Sequence, residues 1–173
     1  MRELTPVDDI RIRSIERGDE ERLLAFWRYV WTSTYGSSLG SQVLDAMLSG
    51  LDRKGLSGML PGNGERGYCA LCGERLVGTA IAAERGQKAF LWGMYVDPGQ
   101  QRLGLGTRLL SAVIADLALV SILEARALRS SPWAIAFYEG RGFRHNGDEA
   151  IELADGFSGT AAIMTFARAL PPS

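Results

Sequence analysis

One histidine and two cysteines are all the imidazole and thiol that 173 residues carry. That is thin material for a metal site. Structural zinc takes about four such ligands, and His145 stands far along the chain from Cys69 and Cys72. The cysteines are spaced CxxC in GYCALCGERLVG. Their flanks follow a strand, GER turn, strand pattern, not the helix N-terminus that a thioredoxin-like pair occupies. Residues three apart in a strand point to opposite faces, so the two sulfurs are expected to be separate, buried strand positions, and no metal is expected. No run of about 18 apolar residues exists, so no membrane-spanning helix and no membrane partner is expected. The opening MRELTPVDDIRIR has no apolar h-region, so no secretory signal is expected and the cytoplasm is the default compartment. Neither sign of charge is in excess, with a formal net charge of −1. Such a balance gives nucleic acid nothing to bind at the level of the whole molecule.

What is present is ordinary globular material: 46% apolar and 23% charged residues. A chain of this size buries roughly 70% of its unfolded surface, enough for a core. No internal repeat and no linker divides it, so a single domain over 1–173 is expected, with 1–9 as a flexible N-terminal tail. IRIRSI (10–15) alternates with period two and predicts a strand. Asp19 is placed to cap a helix whose first turn holds Glu20 and Glu21, with Leu23, Leu24, Trp27, Val30 and Trp31 on one face. Ser41 is placed to cap a second helix. The glycine-rich 52–67 is expected to be irregular. YCALCGERLVGTAIAAE predicts a hairpin turning at Gly73-Glu74-Arg75. AFLWGMYV (89–96), apolar almost throughout, predicts a central strand covered on both faces. A helix from about Leu105, a strand at 120–127, a helix over 132–141 opened by Ser131-Pro132, and strands from Phe143 and over 160–170 follow. The sum is an α/β chain with a mixed sheet of about seven strands.

The stretch QQRLGLGTRLL then invites a question about anions. Amides at the start of a helix point outward and, with the helix dipole, attract a phosphate. A P-loop needs Lys and Ser/Thr after its last glycine, but Gly106 is followed by Thr107-Arg108. A dinucleotide fingerprint needs a third glycine where Leu109 stands. It also follows its strand at once, whereas VDPGQQ intervenes here.

VDPGQQRLGLGTRLL together with SSPWAIAFYEGRGF resembles the GNAT superfamily of N-acetyltransferases. The first stretch matches that family's pyrophosphate loop, Q/R-x-x-G-x-G/A, and the second its NxxAxxxYxxxGF helix and strand. The likeness runs over nearly the whole chain. It implies a single-domain GNAT fold, a mostly antiparallel mixed sheet flanked by helices, with the fourth and fifth strands splayed. It further implies acetyl-CoA as acyl donor, a primary amine as acceptor, and direct attack in a ternary complex. Carried over, the backbone of Met94, Tyr95 and Val96 pairs with pantetheine. The amides of Arg102, Leu103, Gly104, Leu105, Gly106 and Thr107 hold the pyrophosphate, and a backbone N–H of the AFLWGMYV strand steadies the oxyanion.

Tyr138 then takes the place of general acid for the departing thiolate. Ser131 stands where the family often has Asn. It can cap the helix as well, with a shorter reach toward pantetheine. Glu124 in SILEAR is a weak candidate for general base, with an ordinary strand ion pair as its alternative, and His145, which could titrate near neutrality, has a plain edge-strand alternative. Tyr35 and Trp31 lie where relatives build acceptor sites, with aromatic core packing as their alternative. The resemblance leaves room for a homodimer. It also leaves room for a binding module that senses acyl-CoA without turnover. The acceptor's identity is not legible.

Overall fold

The computed structural model describes residues 9–54 and 61–168. Seven strands form one sheet: β1 Ile10–Ser14, β2 Glu65–Cys72, β3 Arg75–Arg85, β4 Lys88–Val96, β5 Ile122–Leu128, β6 Arg144–Ala154 and β7 Phe157–Ala167. Their spatial order is β1-β2-β3-β4-β5-β7-β6, with every neighbouring pair antiparallel except β4 and β5. Four helices cover the faces: α1 Glu20–Tyr35, α2 Ser41–Lys54, α3 Leu105–Asp116 and α4 Pro132–Glu139. The sequence order and the mixed sheet are those expected. The expected tail falls on residues of which only Asp9 is described.

The two faces have separate cores. Leu23, Phe26, Trp27 and Val30, at helical spacing on α1, are buried with Cys69, Leu71 and Ile81 of the sheet. On the other face Leu105, Leu109, Leu110 and Val113 of α3 pack with Ala80, Leu91, Ala125 and Met164. A buried leucine of this kind contributes roughly 1.5–3 kcal/mol, and α3 buries three of them across the middle strands.

Several local expectations need correction. Asp19 occupies the N-cap of α1, but its side chain caps nothing. Its carboxylate accepts two hydrogen bonds from Arg13 (2.7 and 2.8 Å) and one from the Glu16 N–H. The guanidinium of Arg13 holds it below the usual carboxylate range. A stronger donor has won the acceptor from the helix. Ser41 is the first residue of α2 and not its cap, and α4 ends at Glu139, two residues short of the expected 141. The hairpin turns at Gly73-Glu74, one residue tighter than expected, because Arg75 already pairs with Cys72 as the first residue of β3. Cys69 is fully buried and Cys72 half-buried, and both are free; burial pushes the Cys69 thiol to about 11. Part of the glycine-rich segment, 55–60, lies outside the described residues.

Candidate active site

β4 pairs with β5 only from Lys88↔Ile122 to Leu91↔Ala125. Beyond that point β4 continues with β3 alone, and β5 continues with β7 alone. The strands part, and the parting opens a cleft of about 1050 Å³. It also corrects the expectation that 89–96 is covered on both faces. Ala89 and Leu91 are buried, but Trp92 to Val96 are only half-buried because one edge faces the opening.

A bulge sharpens the divergence. Thr79 pairs with Tyr95 and Ile81 with Trp92, so Gly93 and Met94 together oppose Ala80. Such an insertion bends a strand and re-aims its side chains. Gly93 takes φ +58°. The Thr79 hydroxyl fixes the bulge by donating to the Gly93 carbonyl (2.6 Å), and it accepts the Trp27 indole N–H (3.3 Å). After the bulge Met94 packs with the α3 core and Tyr95 with the α1 core.

The stretch that follows β4 is held from inside. Asp97 is 2% exposed. One carboxylate oxygen accepts the Gly99 N–H (2.8 Å), and the other accepts Arg75 (2.7 Å). A single 3-10 turn, Pro98–Gln100, leads to Arg102, the one non-glycine residue with positive φ (65°) among the described residues. Backbone strain of that kind, on the order of 1–2 kcal/mol, gathers at ligand sites. Gly104 then precedes α3 with φ 81° and offers no side-chain cap. The ladder of α3 opens with the Arg108 N–H to the Gly104 carbonyl (3.1 Å). The amides of Leu105, Gly106 and Thr107 therefore lie ahead of it without intrahelical partners. No acidic residue stands in the first turn of α3.

The two glycines of the motif serve different needs. A Cβ on Gly104 would meet nothing within 4 Å, so only its backbone conformation demands glycine. A Cβ on Gly106 would lie 2.9 Å from Phe137 of α4. Gly106 thus lets α3 and α4 approach across the mouth of the cleft.

α4 supplies the remaining wall. Ser131 is 3% exposed and lines the cleft, yet its hydroxyl caps nothing and has no hydrogen-bond partner. A buried hydroxyl left unpaired costs about 1–3 kcal/mol, and a ligand in the cleft could offset that. Tyr138 also lines the cleft and is 6% exposed, tilted against Phe143 (5.0 Å between centroids). Burial, with a smaller contribution from Tyr35, raises its phenol well above the ordinary value.

Nothing in the motif pattern pointed to Arg141, though it lies inside the quoted stretch. Its guanidinium sits 3.8 Å from the centre of the Phe137 ring. It donates to the Thr107 hydroxyl through Nε (2.8 Å) and to the Phe137 carbonyl (2.8 Å). It therefore joins the end of α4 to the start of α3.

Met94, Tyr95, Val96, Arg102, Gly104, Gly106, Ser131 and Tyr138 all line this one cleft. Leu103, Leu105 and Thr107 do not: Leu103 faces solvent, Leu105 is buried in the α3 core, and Thr107 meets Arg141. Tyr35 belongs to the wall. Trp31 stacks instead on Trp27 at 6.0 Å. Glu124 is outside the wall, taken up by Arg126, whose other carboxylate partner is Glu149. His145 is bound to Asp148 and Arg129 at 2.9 Å each, also outside the wall. No group of residues suited to a metal occurs among the described residues.

The model of the acetyltransferase (GNAT) family matches residues 51–143, over half of the chain. This chain belongs to the GNAT acetyltransferase family. Other GNAT proteins share its fold. The PaiA N-acetyltransferase of Thermoplasma acidophilum, solved with coenzyme A, superposes with a TM-score of 0.71 at 19% identity, covering 92% of this chain and 99% of that one. The ribosomal-protein-S18-alanine N-acetyltransferase of Escherichia coli gives 0.66 at 22%, covering 94% and 96%. A GNAT-family acetyltransferase of Staphylococcus aureus gives 0.67 at 18%, covering 91% and 98%. No curated protein matches the sequence. No helix among the described residues is long and apolar enough to cross a membrane.

Proposed function

We propose that this GNAT protein transfers the acetyl group of acetyl-CoA to a primary amine held at the α1 side of the cleft. The observation that carries the reading is the Ser131 hydroxyl, buried and unpaired, on the same wall as the parted β4 edge and the uncapped start of α3. Acetyl-CoA supplies what each of these lacks: pantetheine amides for a strand edge, an acceptor or donor for a hydroxyl, and a pyrophosphate for the N–H groups of a helix.

In this arrangement the backbone of Met94, Tyr95 and Val96 pairs with the pantetheine arm. The amides from Arg102 to Thr107 surround the pyrophosphate, with Arg102 adding charge. The amine nitrogen attacks the thioester carbonyl carbon, and a β4 backbone N–H steadies the oxyanion that forms. The carbon–sulfur bond then breaks. The thiolate takes a proton from Tyr138, the nitrogen gives up a proton to solvent, and solvent returns one to the phenolate as CoA leaves. A phenol is protonated at neutral pH, as a donor must be, and burial makes this one a weaker acid than usual. Much of the acceleration comes from holding amine and thioester together.

The test pairs two measurements on the intact chain. Calorimetric titration should show one acetyl-CoA bound per chain, and thiol release over a panel of primary amines should show turnover with at least one class. Binding without turnover on any amine would make the protein a sensor of acyl-CoA, and no binding would overturn the reading altogether.

A further inference from the structure

We propose that Thr79, outside the cleft wall, is a positioning residue for the transfer. Its hydroxyl aims the Met94 N–H at the thioester carbonyl, and Trp27 of α1 supports it from behind. The inference rests on the donor reading above and names which β4 amide meets the oxyanion and what sets its direction.

Thr79 has no exposed surface and does not line the cleft, whereas Gly93 and Met94 both do. At the bulge neither of those two has a partner on β3 in the register. The Gly93–Met94 peptide is trans, so its N–H points opposite to its carbonyl. The Thr79 hydroxyl draws that carbonyl toward β3 with a hydrogen bond of 2.6 Å. The Met94 N–H therefore points away from β3. On that side β4 meets β5 only as far as Leu91↔Ala125, and beyond that pair lies the cleft. Glycine is needed for this turn of the peptide: φ is +58°, and a Cβ would lie 3.1 Å from the Trp27 ring. Trp27, 5% exposed, thus walls the bulge, and it also donates its indole N–H to Thr79 (3.3 Å).

These groups form a chain of donors, from indole N–H to hydroxyl and from hydroxyl to carbonyl. Amide resonance carries the chain across one peptide to the Met94 N–H. A hydroxyl that already accepts a bond donates a stronger one, and a carbonyl that accepts one leaves its N–H more positive. Each link strengthens the next by roughly 10–30%. An N–H aimed beforehand needs no reorganisation as charge builds on the thioester oxygen. Without the hydroxyl the peptide at the bulge is free to turn, because glycine tolerates so many backbone conformations. The helix that carries Trp27 ends in Ser33, Thr34 and Tyr35 on the cleft wall. α1 thereby sets the oxyanion site from one turn and lines its own end of the cleft with another.

The experiment binds acetyl-CoA, with a heavy-isotope label at its carbonyl, to the full chain and to Thr79→Val, Thr79→Ala and Thr79→Ser. A hydrogen bond to the thioester carbonyl lowers its stretching frequency, which isotope-edited infrared difference spectra read with no amine present. The native chain and Thr79→Ser should share a lower frequency, and the two variants without a hydroxyl a higher one. Two such variants keep the comparison intact where one does not fold. Acetyl-CoA affinity should stay within about threefold throughout. On an amine that the native chain acetylates, kcat should fall about tenfold in Thr79→Val and stay within about threefold in Thr79→Ser. A Thr79 that only stabilises the fold would order frequency and rate by thermal midpoint, whether or not the hydroxyl remains. That ordering, or one frequency common to native and variants, would overturn the proposal. Trp27→Phe, which removes the N–H and keeps an aromatic ring, should give a frequency between the two groups. A native frequency there would remove α1 from the chain of donors. If the native chain binds no acetyl-CoA, the donor reading has failed and this inference falls with it.

Discussion

The two ends of the cleft are built from different materials. At the α3 end the chain gives backbone: unpaired amides, a glycine with φ 81°, a close approach at Gly106, and a strained Arg102. At the α1 end it gives side chains: Ser33, Thr34 and Tyr35. Backbone recognition suits a ligand part that never varies, because amides sit where the fold puts them. Side-chain recognition can be exchanged one residue at a time without disturbing the sheet. Under the proposed function the fixed partner would belong at the α3 end and the chosen one at the α1 end, with Tyr138 on the same wall.

Substitutions can separate these roles. The largest effect is expected where the ends meet. Tyr138→Phe removes a proton donor and keeps the ring against Phe143, so kcat should fall about 100-fold while acetyl-CoA affinity stays within twofold. Steady-state rates and calorimetry read the two quantities, and unchanged turnover would reduce Tyr138 to a packing residue. Gly106→Val should break the α3 end specifically. Its Cβ would drive Phe137 aside, and acetyl-CoA binding should weaken by about tenfold, roughly 1.4 kcal/mol. If affinity holds, the start of α3 does not seat the donor. The smallest effect sharpens the contrast. Arg141→Ala removes a cation from the α3 end, so acetyl-CoA affinity should drop a few fold and lose part of its salt dependence. Affinity for uncharged pantetheine should not change.

The same contrast explains what could be read from the sequence. Backbone sites leave a sequence trace, because glycine at a positive φ or a close contact is hard to replace. QQRLGLG therefore marked the turn into α3, and AFYEGRGF marked the helix that carries Tyr138 on the cleft wall. Element order and the seven strands followed from periodicity, since one-sided burial imposes it. Competition for a hydrogen-bond acceptor was not legible. Asp19 has the right type and place for a cap, but Arg13, six residues earlier, takes it through the fold. Ser131 has the right type as well, yet its hydroxyl is left over. Arg141 escaped notice because its partners, Thr107 and Phe137, become neighbours only when α3 and α4 meet. The half-covered part of β4 was implied by the resemblance, but the apolar run alone did not show it. An apolar run shows that a strand is central, but not where its neighbour departs.

Backbone amide hydrogen exchange, measured with and without acetyl-CoA, tests the central claim most directly. Saturating acetyl-CoA should slow exchange at Met94 or Val96 on the open edge of β4 and at Leu105, Gly106 and Thr107 ahead of the α3 ladder. The α1 end should be little affected until an amine is added. Protection elsewhere, or none at either the β4 edge or the start of α3, would contradict the account.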